Sequence, residues 1–352
     1  MIEYFFIYIF VISSSIGYVY FPRLKSIFIF QVVFIFFIFA GFRGSVGADT
    51  VVYESIYNRY LVEGYGVFDF RFEPIFVFIM KVCSYFSNDA QILFVFYAAT
   101  QSFFLFFVLK NMKSPMFFLC IYTIAFYLQF HMNVIRVGLA AIVFIYSLQC
   151  SSKKKSILFL SLSLLCHFSI LLVVPLWLIY RKMVNLKVIA TAFLFLILLI
   201  YILYDYILIK NAMYFDGGEK IISLSPIALM IFMSAPTYYI LSVFIRKRFS
   251  PVLLFTVTFL SAMILGMLYI DIFYRIYTLI CFFILFFVSQ NGVNIKCQYN
   301  VMAPFYILFF SSLVLFSTLA INNERQYVEK SRGKSSIEYQ YTFIPYVFSF
   351  NE

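Results

Sequence analysis

Along this chain the polar residues come in short bursts between long apolar stretches. The stretches fall at about 2–21, 26–42, 90–109, 115–131, 134–150, 188–208, 225–245, 251–270, 272–288 and 301–320. Each is apolar on every side and close to the ~20 residues a helix needs to cross the hydrocarbon core of a bilayer. The pattern therefore predicts an all-α, polytopic membrane protein with about 10 full spans. A β-barrel is excluded, because barrel strands alternate with a period of two. Two segments fit less simply. Residues 74–87, "PIFVFIMKVCSYFS", are short for a span and carry Lys81 in the middle. They predict a helix lying at one face without crossing. Residues 156–180, "SILFLSLSLLCHFSILLVVPLWLIY", are long enough to cross once but contain His167 and Pro175. They predict a re-entrant helical hairpin that turns at His167.

Basic residues set the orientation, since Lys and Arg concentrate in cytoplasmic loops. The strongest basic clusters are "KKK" at 153–155, "RK" at 181–182 with Lys187, and "RKR" at 246–248. They share a face only if 156–180 enters and returns, and Arg23, Lys25, Lys110 and Lys113 join that face if 74–87 stays outside. In that topology the cytoplasmic loops also hold Arg23, Lys25, Lys110, Lys113 and Lys296, and none of the 15 Asp and Glu residues. The acids played no part in choosing the topology, so their sorting to one side supports it. Both termini are then extracytoplasmic, as are the outer loops 43–73 and 209–224 and the tail 321–352. The whole chain, 1–352, reads as a single transmembrane domain.

Composition agrees and narrows the class. The 352 residues are 64% hydrophobic and only 12% charged, which no soluble core absorbs. The net charge of +11 belongs to cytoplasmic loops and does not point to nucleic acid. The six cysteines form no CxxC and sit mostly in apolar runs, so neither a disulfide nor a metal site is expected. The opening "MIEYFFIYIF" has no basic segment ahead of it, and reads as a first span.

Four places carry ionisable residues that the loops do not explain. Arg43 and Asp49 follow the second span in "GFRGSVGADTVVYESIYNRY". Asp49 suits the N-cap of a short helix with Tyr53 and Tyr57 on one face. Arg136 begins a span at its outer end, His167 sits at the proposed hairpin turn, and Arg275 lies four residues after Asp271 in "DIFYRIY". Each has a plain structural alternative: a cap, an interfacial anchor, a satisfied buried histidine, an i,i+4 ion pair. Ionisable residues within spans are nevertheless functional candidates. Arginine suits phosphate, because its fork matches two oxygens and its charge does not titrate away. Three arginines at the outer ends of spans, with a histidine among them, suit a lipid diphosphate.

These residues resemble the Wzy-type polysaccharide polymerases, and in particular the EpsG-like group. "FRGSVGADTVVY" resembles the group's element after the second span, through Arg43, Gly44, Gly47, Asp49 and Tyr53. "FEPIFVFIMK" is similar to its Phe-Glu-Pro element, "NVIRVGLA" to its Arg-x-Gly-Leu-Ala element and "CHFS" to its His-x-Ser element. "YRIY" resembles a late arginine motif and "YTFIPY" the terminal aromatic tail. Ala48 and Val137 depart from the group's usual Thr and Gln. The resemblance implies a glycosyltransferase at the outer face of the bacterial cytoplasmic (inner) membrane. It would polymerise undecaprenyl-diphosphate-linked oligosaccharide repeat units into O-antigen or a related surface polysaccharide. Its partners would be that lipid-linked substrate, membrane lipid and a chain-length regulator protein. No cofactor and no metal are expected, since no DxD-type carboxylate pair is evident. Glycosyl transfer to a hydroxyl with a diphosphate leaving group needs cations and a base. Arg43, Arg136 and Arg275 are the expected diphosphate ligands. His167 is the first candidate for the base and Asp49 the second, with Glu73, Tyr53 and Tyr274 as weaker sugar contacts. A flippase, a polyprenyl-phosphate-sugar glycosyltransferase and an O-antigen ligase are the alternatives. A flippase would favour midplane charges and an internal repeat.

Overall fold

A computed structural model describes residues 2–44, 46–47, 49–64, 72–181 and 272–291, and among these there is no β-strand. The spans expected at 188–208, 225–245, 251–270 and 301–320, the loop 209–224 and the tail 321–352 lie outside the described residues. The chain divides into two compact units, Met1–Phe168 with Leu285–Glu352 and Ser169–Ile284.

The first unit holds eight complete helices among the described residues. They are α1 (Ile2–Tyr20), α2 (Lys25–Gly41), α3 (Thr50–Glu63), α4 (Pro74–Ser84), α5 (Gln91–Lys110), α6 (Pro115–Ala125), α7 (Ile135–Gln149) and α8 (Lys153–Cys166). In the second unit α9 covers Val174–Tyr180. Helix α10, Ile272–Asn291, begins in the second unit and ends in the first. Among the described residues three helices are long and apolar enough to cross a membrane: Glu3–Tyr20, Pro22–Gly41 with its leading 3-10 turn, and Gln91–Lys110. They match the first three expected spans to within a few residues.

Helix starts follow local chemistry. Prolines 22, 74 and 115 stand at first-turn positions, where a missing N–H costs nothing and the fixed φ suits the helix. Asp49 holds the N-cap position of α3, as expected, although its side chain makes no capping bond. Gly64 ends α3 at φ 67°. On α3, Tyr53 and Tyr57 are both buried and Arg59 is exposed, the one-faced arrangement the spacing predicts.

Two departures shape the site. The run at 115–131 is not one continuous helix. Helix α6 stops at Ala125, a π-helical turn occupies Leu128–Asn133, and α7 starts at Ile135. The segment 156–180 is also broken: α8 ends at Cys166, His167 is extended (φ −161°, ψ 126°), and a 3-10 stretch follows at Phe168–Val173. The interruption falls at the residue expected to mark the turn.

Candidate active site

The site begins with the 128–134 turn. A break between two helices releases carbonyls that intrahelical bonding would have satisfied, and in an apolar interior they need other donors. Here the donors come from distant elements. Gln101, fully buried on α5, donates from Nε2 to the carbonyls of Phe130 (3.1 Å) and Ile135 (2.7 Å). Arg43, 0% exposed, donates to the carbonyls of His131 (3.3 Å) and Met132, with its guanidinium 4.4 Å from the ring centre of Phe94. The loop carrying Arg43 also lies on this turn. Gly47 has φ 109°, and a Cβ there would stand 2.8 Å from the Met132 carbonyl oxygen. The Asp49 N–H donates to Asn133 Oδ1 at 2.9 Å. Within the turn His131 is buried, its Nδ1 2.7 Å from the Tyr122 hydroxyl.

Just beyond this turn is Arg136. Helices α7 and α8 run antiparallel, tied by Ser156 Oγ to the Ser147 carbonyl (2.6 Å) and Ser163 Oγ to the Ala140 carbonyl (2.7 Å). The small Ala140 at that contact allows close approach, while Gly138 packs against the π turn, where an added Cβ would collide with the Phe130 carbonyl. Going four residues on from Ser163 and four back from Ala140, the same register sets His167 opposite Arg136. From a third direction comes Glu73, just ahead of Pro74 at the start of α4. Its Oε2 accepts from Arg136 at 2.6 Å, and its Oε1 is 3.4 Å from His167 Nε2. One carboxylate is therefore shared by a guanidinium and an imidazole.

Aromatic rings wall this cluster. The Arg136 guanidinium lies 4.8 Å from the ring centre of Phe76 and 5.7 Å from that of Tyr53, within cation–π range. Burial raises the Tyr53 phenol above its ordinary value of 10.0, and the adjacent Arg136 charge opposes that shift. The Arg136 and His167 side chains keep 21% of their accessible surface and Glu73 11%. That leaves them within reach of a bound molecule while strengthening their mutual electrostatics relative to full hydration.

The expected site residues thus divide. Arg136, His167, Glu73 and Tyr53 come together. Asp49 stands half-buried at the head of α3, four residues before Tyr53. Arg43, an expected diphosphate ligand, is wholly buried and donates to main-chain carbonyls. Tyr274 and Arg275 lie on α10, and their side chains, like Asp271, are outside the described residues. Sequence reasoning passed over Gln101 and His131. Gln101 lies between Thr100 and Ser102 and His131 between Gln129 and Asn133, short polar interruptions of apolar runs that give no other signal. Among the described residues no three His, Cys, Asp or Glu side chains gather closely enough to hold a metal ion.

No curated protein and no solved structure matches this chain. A family model described as the EpsG family does match, over residues 26–341. The chain belongs to the EpsG family, a membership that points to a polysaccharide polymerase of the membrane.

Proposed function

We propose that the protein lengthens a surface polysaccharide at the outer face of the bacterial cytoplasmic membrane. Its donor is a glycan chain on undecaprenyl diphosphate, and its acceptor is the terminal sugar of a new lipid-linked repeat unit. In the transfer, an acceptor hydroxyl oxygen bonds to the anomeric carbon of the donor. The bond from that carbon to the diphosphate oxygen breaks, and the hydroxyl proton passes to a base. Undecaprenyl diphosphate leaves with the bonding electron pair.

The observation that carries this reading is the Glu73 carboxylate shared between Arg136 and His167. His167 takes the proton, and the neighbouring Glu73 stabilises the imidazolium that forms. Arg136 offsets the negative charge that develops on the departing diphosphate, a role in which preorganised cations are worth most. Arg275 is a second diphosphate ligand, and Asp49 the second candidate for the base. Tyr53 and Tyr274 contribute to sugar contact. A chain-length regulator protein would act on the same product.

The test is the length profile of surface glycan in a clean deletion strain, then in that strain complemented with Arg136→Ala or His167→Ala. Single repeat units alone in the deletion support polymerisation, and the same profile in each variant supports the assigned role. Loss of all surface glycan, or lipid-linked units accumulating inside, would favour a flippase or an earlier transferase. An unchanged ladder in the deletion would overturn the reading.

A further inference from the structure

The Arg43 element closes the second span, and its arginine is turned onto the backbone of the 128–134 turn. It is fully buried, and its guanidinium donates to the carbonyls of His131 and Met132. Gln101 takes the flanking carbonyls, Phe130 and Ile135. Gly47 presses on Met132, where no side chain would fit, and the Asp49 N–H takes the side chain of Asn133. Contacts from two elements therefore converge on one short turn, and Arg136 follows that turn directly. The π turn keeps its own i→i+5 bond, Val134 N–H to the Gln129 carbonyl at 2.7 Å, but its wider winding leaves the carbonyls of 130–132 to donors from elsewhere.

We propose that Arg43 and Gln101 are positioning residues for Arg136. By holding the four carbonyls of the 130–135 backbone they set the height and rotation of the first turn of α7, and so the reach of Arg136 towards Glu73. Arginine suits this task because one terminal nitrogen, Nη1, carries two N–H donors and gives one to each of two successive carbonyls. The catalytic part of this proposal rests on the polymerase reading above; the geometric part does not. A misplacement of about 1 Å in a catalytic group costs on the order of a hundredfold in rate.

Arg43→Lys keeps the charge but shortens the reach to the two carbonyls, and Gln101→Met keeps the volume but loses both donors. Each is assayed in membranes with lipid-linked repeat units, alone and combined with Arg136→Lys. The expected result is a fall in kcat on the order of a hundredfold for each single variant, with KM nearly unchanged. No further loss is expected when either is combined with Arg136→Lys, because a residue acting through another adds nothing once that one is altered. Losses that multiply would overturn the proposal, since that is what general destabilisation produces. A second measurement needs no activity. In a background lacking the native cysteines, Glu73→Cys and Arg136→Cys are joined with a short bis-maleimide. Arg43→Lys and Gln101→Met should each slow that cross-link, and an unchanged rate in both would overturn the clamp. If Arg136→Lys alone extends glycan normally, the polymerase site is misassigned, and the cross-linking rate then decides the geometric claim by itself.

Discussion

Glu73 Oε2 and Arg136 meet at 2.6 Å although the two residues are 63 positions apart in the chain. Glu73 holds the N-cap position of α4, where a side chain commonly turns back to bond its own helix, and it makes no such bond. Its two oxygens go to Arg136 and towards His167 instead. Three helix ends thus meet through a single carboxylate: the starts of α4 and α7, and the end of α8.

Glu73→Gln tests that junction. The substitution keeps the shape and removes the charge, so Arg136 loses its counter-ion in a site that is only partly hydrated. Breaking a fully buried pair costs about 3–5 kcal/mol, and an exposed one under about 1. At the observed exposures the expected loss lies between these limits, at about 1–3 kcal/mol. It is read as a lower unfolding temperature of the detergent-solubilised protein. Chain extension should fall with it. An unchanged unfolding temperature would show that the carboxylate charge does not hold this junction together.

His167→Ala should behave differently. The residue lies beyond the last turn of α8, whose packing on α7 rests on Ser156 and Ser163. Stability should therefore fall by no more than about 1 kcal/mol, the scale of a partly exposed contact such as that with Glu73. Elongation should drop by roughly 10²–10⁴-fold, the usual contribution of a general base. The checks are glycan length and unfolding temperature on the same preparations. A destabilised variant that still extends glycan would make His167 a structural residue.

What the sequence made legible was local. Apolar length located the first three spans, Asp49 located the start of α3, and tyrosine spacing located its buried face. His167 marked the end of α8 because a polar residue in an apolar run seldom lies in mid-helix without cause. What stayed hidden was pairing across distance. The pairing of Glu73 with Arg136 is set by how α4, α7 and α8 pack, and neither residue's neighbours encode it. The break after α6 was hidden as well, because residues 115–150 read as two spans joined by a few polar residues. A π turn leaves no composition of its own; its only trace was the set of donors it required, Arg43 and Gln101. Arginine at the end of a span reads equally as a phosphate ligand or a buried brace, and only the direction of its side chain separates the two.

Gly47→Ala probes the same turn from the loop side. Gly47 has φ 109°, and the added Cβ would stand 2.8 Å from the Met132 carbonyl oxygen. Backbone strain of this kind costs on the order of 1–3 kcal/mol, and the collision adds to it. At Gly64, with φ 67°, an added Cβ would have nothing within 4 Å, so Gly64→Ala meets the strain without the collision. Unfolding temperatures of the two variants should rank Gly47→Ala well below Gly64→Ala. Equal values would mean that the 43–49 loop does not rest on the turn.

Tyr57 gives a prediction in pH. Its hydroxyl donates to the Ser87 carbonyl at 2.8 Å, tying α3 to the segment after α4, and burial pushes its phenol up to about 12. In the unfolded chain the phenol titrates near its ordinary value of about 10. Below pH 10 both states are neutral, and the full contribution of the folded phenol is present. Between pH 10 and 12 the unfolded state ionises first, so that contribution is progressively lost. Tyr57→Phe should be less stable than the parent by about 1 kcal/mol below pH 10, from the lost hydrogen bond. Above pH 10 the parent should lose stability faster than the variant, so the gap should close near pH 11 and reverse by pH 12. Other tyrosines titrate in both proteins and cancel in the difference. A gap that stayed constant through pH 12 would place the Tyr57 hydroxyl in water.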